Sequence, residues 1–163
     1  MKQGSTIFLK IALFLIGAPV LALCIFLLPQ IAAEAAAQAE EGAALAYAVF
    51  GILTAMYGSA IPFYFALYQA FKLLNYIDRN EAFSQISVTA LKKIKYCAFL
   101  ICGLYLAAMP FIYIIAEWDD APGLILLGMV IPGASLVIAV FAAVLQRLLR
   151  EAINIKSEND LTV

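Results

Sequence analysis

Long apolar runs separated by short polar ones set the pattern of this chain. Four stretches lack Asp, Glu, Lys and Arg: Ile11 to Leu28, Ala43 to Phe71, Tyr96 to Ala116, and Ala121 to Leu145. They are 18, 29, 21 and 25 residues long. About 20 apolar residues cross a hydrocarbon core of ~30 Å as an α-helix, whereas spanning strands are shorter and alternate polar with apolar positions. The pattern therefore predicts an all-α integral membrane protein. Its spans fall at about 11–28, 43–71, 96–116 and 121–145, in one four-helix transmembrane bundle over residues 1–163. The second run exceeds what a span needs and must tilt, kink or protrude. Each run holds an internal proline (Pro19, Pro62, Pro110, Pro132), which predicts kinks. Gly51, Ala55 and Ser59 are four apart on the second span, as are Ser135, Ala139 and Ala143 on the fourth. Small residues at that spacing let membrane helices approach closely.

Composition strengthens the membrane reading. Of 163 residues, 66% are hydrophobic and 13% charged, where a soluble domain carries about a quarter charged residues. The residues left outside the four spans are too few for a separate soluble domain. The first span follows Lys2 and Lys10, as a secretory signal would, and Leu21-Ala22-Leu23-Cys24 resembles a lipoprotein cleavage site. Leu23 is too large for that site, and further apolar residues follow Cys24, so the span is expected to remain in the protein.

Charge then orients it. The ten basic residues fall in three places: Lys2 and Lys10; Lys72, Arg79, Lys92, Lys93 and Lys95; Arg147, Arg150 and Lys156. The two other connections hold none, but carry Glu34, Glu40, Glu41, Glu117, Asp119 and Asp120. Positive flanks stay on the cytoplasmic side. Both termini and the middle loop are expected in the cytoplasm, with Pro29 to Gly42 and Glu117 to Asp120 outside.

The water-facing parts carry their own signals. Ile31 to Glu41 is rich in helix formers, with Glu34, Gln38 and Glu41 on one face, and predicts a short acidic helix outside the membrane, ended by Gly42. In the middle loop, Lys72 to Lys95, Ser84 is placed to cap a helix whose apolar stripe is Ile86, Ala90, Leu91 and Ile94. Past the fourth span, Leu145, Leu148, Leu149, Ala152 and Ile153 form the apolar stripe of an amphipathic cytoplasmic helix, with Gln146, Arg147, Arg150, Glu151 and Asn154 opposite. A polar tail, Ser157 to Val163, follows. The stripe needs a cover: the middle loop, lipid or a partner. Phe83, Leu148, Leu149, Ala152 and Ile153 are thus candidate docking residues.

Catalytic chemistry is missing from the pattern. There is no histidine, hence no His-based triad, His-ligated metal or histidine pH switch. Cys24, Cys97 and Cys102 sit in apolar runs at irregular spacing and read as packing residues. The spans lack ionisable groups at depth, which disfavours an ion-coupled carrier. Tyr57, Tyr64, Tyr68 and Thr54 could line a small cavity in the second span, but tyrosines there more often pack or anchor at the interface. No cofactor or metal is expected.

Two motifs carry a family resemblance. Ala82-Phe83-Ser84 followed by Leu91-Lys92-Lys93-Ile94 resembles a Phe-Ser, then Leu-Lys-x-Ile pattern. Ser157-Glu158-Asn159-Asp160-Leu161-Thr162-Val163 resembles a Glu-Asn-Asp-Leu-Thr-Val terminus. Both are features of the YoaS-like family of small four-helix bacterial membrane proteins, domain of unknown function 2975, and the resemblance covers essentially the whole chain. It implies no catalytic residues. Members of the family often neighbour a gene for a small helix-turn-helix DNA-binding protein. By that association the resemblance implies a membrane partner of a cytoplasmic transcription regulator, and it adds Asn159, Asp160 and Leu161 to the candidate docking residues. The resulting expectation is a non-enzymatic membrane component that holds or releases such a regulator in response to an envelope signal, embedded in the lipid bilayer, without direct nucleic-acid binding. The alternative is a small exporter or peptide-immunity protein, which at this size would act as a homo-oligomer.

Overall fold

The computed structural model describes residues 3–39 and 42–162, all in helices and short turns. Lys2, Glu40, Glu41 and Val163 lie outside the described residues. The order is α1 (Gln3–Ala22), a π-helical turn (Leu23–Leu27), α2 (Leu28–Gln38), α3 (Ala43–Asp78), α4 (Gln85–Trp118) and α5 (Gly123–Leu161). Among the described residues four helices are long and apolar enough to cross a membrane, the first being α1, the π turn and α2 taken together.

The prolines fall into two groups. Pro19, Pro62, Pro110 and Pro132 all lie inside uninterrupted α-helix. The register breaks instead ahead of Pro29, the second residue of α2. In an α-helix the ring of Pro29 would meet the carbonyl of Ile25, four residues back. Widening that turn to the π form relieves the clash, and the N–H of Leu28 now reaches back to the carbonyl of Leu23. The acidic stretch after Pro29 is helical, as expected, and runs on directly from the π turn. It continues the first span to Gln38, with Leu28 and Ala35 buried. Gly42 does not end that helix but precedes α3, as its N-cap.

The connections at the basic end are shorter than the sequence implies. α3 runs past Phe71 to Asp78, and α4 begins at Gln85 behind the expected Ser84 cap, whose hydroxyl accepts from the N–H of Ser87 at 3.4 Å. Most of the expected middle loop is therefore helix. Two turns end in the same way. Asn80 (φ 59°) and Asp120 (φ 50°) occupy the left-handed region. Glu81 donates back to the Tyr76 carbonyl at 2.8 Å, and Ala121 to that of Ala116 at 2.9 Å. These are Schellman ends in which Asn and Asp take the place more often filled by Gly.

α4 is the central helix. It packs along α3 on one side and α5 on the other, while the first helix packs mainly on α3, and more sparsely. Near the acidic end, consecutive α4 side chains press into a glycine on each neighbour. A Cβ on Gly51 of α3 would come within 2.8 Å of the Phe111 ring, and one on Gly128 of α5 within 2.9 Å of Ile112. The small-residue rows also point inward: Ala55, Ser59, Ser135 and Ala139 are buried, with Ala142 buried in preference to Ala143. The four helices thus stand in a curved row in chain order. α5 makes no extended backbone approach to α1 or α3.

Candidate functional site

The concave side of that row is a groove of about 490 Å³, reached by all four spans. Val20 and Cys24 come from the first helix, Ser59 and Phe63 from α3, Ala98 and Tyr105 from α4, and Ile131 and Ser135 from α5. It is apolar except for three hydroxyls, those of Ser59, Tyr105 and Ser135. Ser59 Oγ donates to the Met56 carbonyl at 2.8 Å and meets Tyr105 Oη at 3.4 Å. No ionisable carboxylate, lysine or arginine lines the groove. Its chemistry is that of a receptor for apolar or weakly polar groups, with no base to generate a nucleophile. Among the described residues no three His, Cys, Asp or Glu side chains come together as a metal site. Cys97 and Cys102 are buried, Cys24 half-buried, and all three are free thiols.

A second cleft, about 410 Å³, separates α1 from α3 and is lined by Phe14, Gly17, Ala18, Leu21, Tyr64, Leu67, Tyr68 and Phe71, among others. Two tyrosines tie the helices together here, Tyr64 from the cleft lining and Tyr57 from beyond it. Tyr57 Oη donates to the Cys24 carbonyl at 3.0 Å, and Tyr64 Oη to the Gly17 carbonyl at 2.8 Å. The donors are seven residues apart on α3 and the acceptors seven apart on the first helix, two helical turns in each case. Phe14 meets Phe71 edge to face, and Lys10 Nζ closes the ladder on Asp78 Oδ2 at 2.6 Å, with both side chains about three-quarters buried. Periodicity gave no notice of this pair, because the two residues are 68 apart and belong to different runs.

The candidate docking residues all fall at the basic end, but not on one surface. Phe83, on the α3–α4 turn, is 58% exposed. α5 continues without a break to Leu161, so the expected polar tail from Ser157 is helical over its described part until that residue. At ~1.5 Å per residue α5 is about 58 Å long, nearly twice the ~30 Å core. Its final turns project beyond the other helices, and Asn159, Asp160 and Leu161 are exposed there. The expected apolar stripe is divided. Leu148 is 56% exposed, whereas Leu149, Ala152 and Ile153 are half-buried.

The helix is rotated relative to the sequence reading. Gln146, assigned there to the polar face, is buried and accepts from Lys95 Nζ of α4 at 3.3 Å, while Leu145 faces outward. Continuing the antiparallel register set by Lys95 and Gln146 brings Ile153 level with Val88, which is buried. The first turns of α4 therefore supply part of the cover that the stripe requires. Likewise Ile86, placed on the inner stripe of α4 by its spacing, is exposed, and Ser87 and Val88 are buried instead. Ile155 was missed. It is 59% exposed, seven residues beyond Leu148 on the same face, and that spacing was the available signal.

Comparison with known proteins agrees with the membrane architecture. A family model described as a protein of unknown function, DUF2975, matches residues 30–163. A curated relative, "Uncharacterized membrane protein YoaS" of Bacillus subtilis (strain 168), is 64% identical over 163 residues, covering all of both chains. No solved structure matches.

Proposed function

We propose that this chain, which belongs to the DUF2975 family, is a non-enzymatic multi-pass protein of the bacterial cytoplasmic membrane that holds a helix-turn-helix regulator against its cytoplasmic end. The segregation of Lys and Arg supports placing both termini and the α3–α4 turn in the cytoplasm. The observation that carries the docking reading is the exposed apolar face toward the end of α5. An unbroken helix extends well beyond the membrane-crossing length and presents Leu148 and Ile155 on one exposed face. Two apolar anchors seven apart are the spacing by which an amphipathic helix is read by a partner. The nature of the partner rests on the family association with small DNA-binding proteins.

The experiment is affinity capture from host membranes in mild detergent, comparing the wild type with Leu148→Glu/Ile155→Glu. Loss of a co-purifying helix-turn-helix protein, with unchanged yield and insertion of the variant, is the expected result. Identical co-purifying proteins would reject the reading. The rival is a small oligomeric exporter or peptide-immunity protein. It is favoured by one feature, the groove between α1 and α5 reached by all four spans, and it would gain if the charged variant retained its partners while groove-filling changes abolished a resistance phenotype.

A further inference from the structure

The cleft between α1 and α3 has the form of a lipid site. Its walls are apolar, with the half-exposed Tyr68 and Phe71 near its basic end. Each of these rings carries an ammonium: Lys72 Nζ lies 5.6 Å from the Tyr68 centroid, and Lys10 Nζ 5.5 Å from that of Phe71. From Lys10 to Leu21, where the lining ends, the rise is about 16 Å at ~1.5 Å per residue. That is close to one leaflet, half of a ~30 Å core. The charge at the mouth is unequal. Asp78 answers Lys10, but among the described residues Lys72 forms no ion pair. One positive charge is left over beside an apolar slot one leaflet deep.

We propose that this cleft holds an acyl chain of an anionic phospholipid, whose phosphate sits at its mouth against Lys72 and Lys10. A zwitterionic lipid would fill the slot equally well, but would bring its own ammonium toward the two lysines. Charge thus selects the headgroup and shape selects the chain. Ala18 lines the slot and is exposed to it. A larger side chain there occupies the space of the acyl chain without displacing a packed neighbour.

The test is native mass spectrometry of the full chain in detergent, titrated separately with phosphatidylglycerol and phosphatidylcholine. The wild type should retain one phosphatidylglycerol in preference to phosphatidylcholine. Lys72→Gln should reduce that preference about fivefold, the ratio equivalent to ~1 kcal/mol per basic residue at a lipid surface. Ala18→Leu should weaken both lipids together. Lys156→Gln, a charge change out on the α5 projection, should alter neither. Equal retention of the two lipids by the wild type, or an undiminished preference in Lys72→Gln, would overturn the proposal. So would an inter-chain disulfide formed in native membranes by Ala18→Cys in a chain without its own cysteines, since a second copy would then occupy the cleft.

Discussion

The Tyr57 hydroxyl donates to a main-chain carbonyl, that of Cys24, which the π turn and Pro29 together leave without a helical partner. In an α-helix that carbonyl would accept from Leu28, but the Leu28 N–H is taken by Leu23. In π register it would accept from residue 29, and proline has no N–H. An unsatisfied carbonyl is costly where no water can reach it, so the tyrosine on the neighbouring helix both satisfies the group and holds α3 to the first span.

Tyr57→Phe should therefore destabilise the protein by about 0.6–1.7 kcal/mol, the range found for side-chain hydrogen bonds between membrane helices. In a Pro29→Ala background the N–H at position 29 is restored and the loss should shrink. A double-mutant cycle on denaturant unfolding in micelles measures the coupling. Additive losses would mean that the hydroxyl is not serving the freed carbonyl. Cys24→Ala should leave the bond intact, because only the main chain accepts.

The Lys10–Asp78 pair ties the start of the first helix to the end of α3. Each side chain keeps only about a quarter of its surface exposed or less, so the pair lies between a surface bridge and a buried one. Asp78→Asn should cost about 1–3 kcal/mol, between the values for those two limits. Lys10→Met combined with Asp78→Leu should cost less than Asp78→Asn alone, because no charge is then left partly desolvated. Unfolding midpoints of these two variants against the wild type decide the matter.

Asn80 and Asp120 sit in left-handed backbone at the two Schellman turns. Asn80→Gly should be neutral or stabilising. Asn80→Val should cost roughly 1–2 kcal/mol, the steric penalty of that conformation for a side chain with a crowded Cβ. The same order should hold at Asp120. Thermal unfolding of the four variants tests it, and an indifferent Asn80→Val would show that the turn relaxes.

Topology is open to direct measurement. In a cysteine-free background, new cysteines at Gln38 and Asp119 should label in intact cells with a membrane-impermeant thiol reagent, and those at Glu81 and Ser157 should not. Glu81 is preferred to Asn80, since cysteine at the left-handed position would strain the turn being probed. Labelling at Glu81 in unbroken cells would reverse the orientation.

Hydropathy was sufficient for the number of membrane-length helices, since twenty consecutive apolar residues have few alternatives in water or lipid. The Ser84 cap and the inward rows of small residues were also legible, being properties of a few residues in one helix. Everything that depends on rotation of one helix against another was not. Gln146 reads as polar and outward, yet Lys95 on a helix fifty residues away makes burial acceptable. Leu148 and Leu149 are indistinguishable by type, and α4 covers part of one while the other stays exposed.

The sequence by itself determined four membrane-length helices, the alternating charge of their connections and the absence of Asp, Glu, Lys and Arg from the four apolar runs. These follow from local composition and from the cost of placing charge in hydrocarbon. Only the tertiary structure decided that the helices form a curved row, that Pro29 rather than the four central prolines alters the helical register, and that Tyr57, Tyr64 and Lys10 bind the first span to α3. Within a membrane all helix surfaces are similarly apolar, so hydrophobic pattern cannot choose which faces meet. That choice is made by close fits such as Phe111 against Gly51, and by the few polar groups that must find a partner.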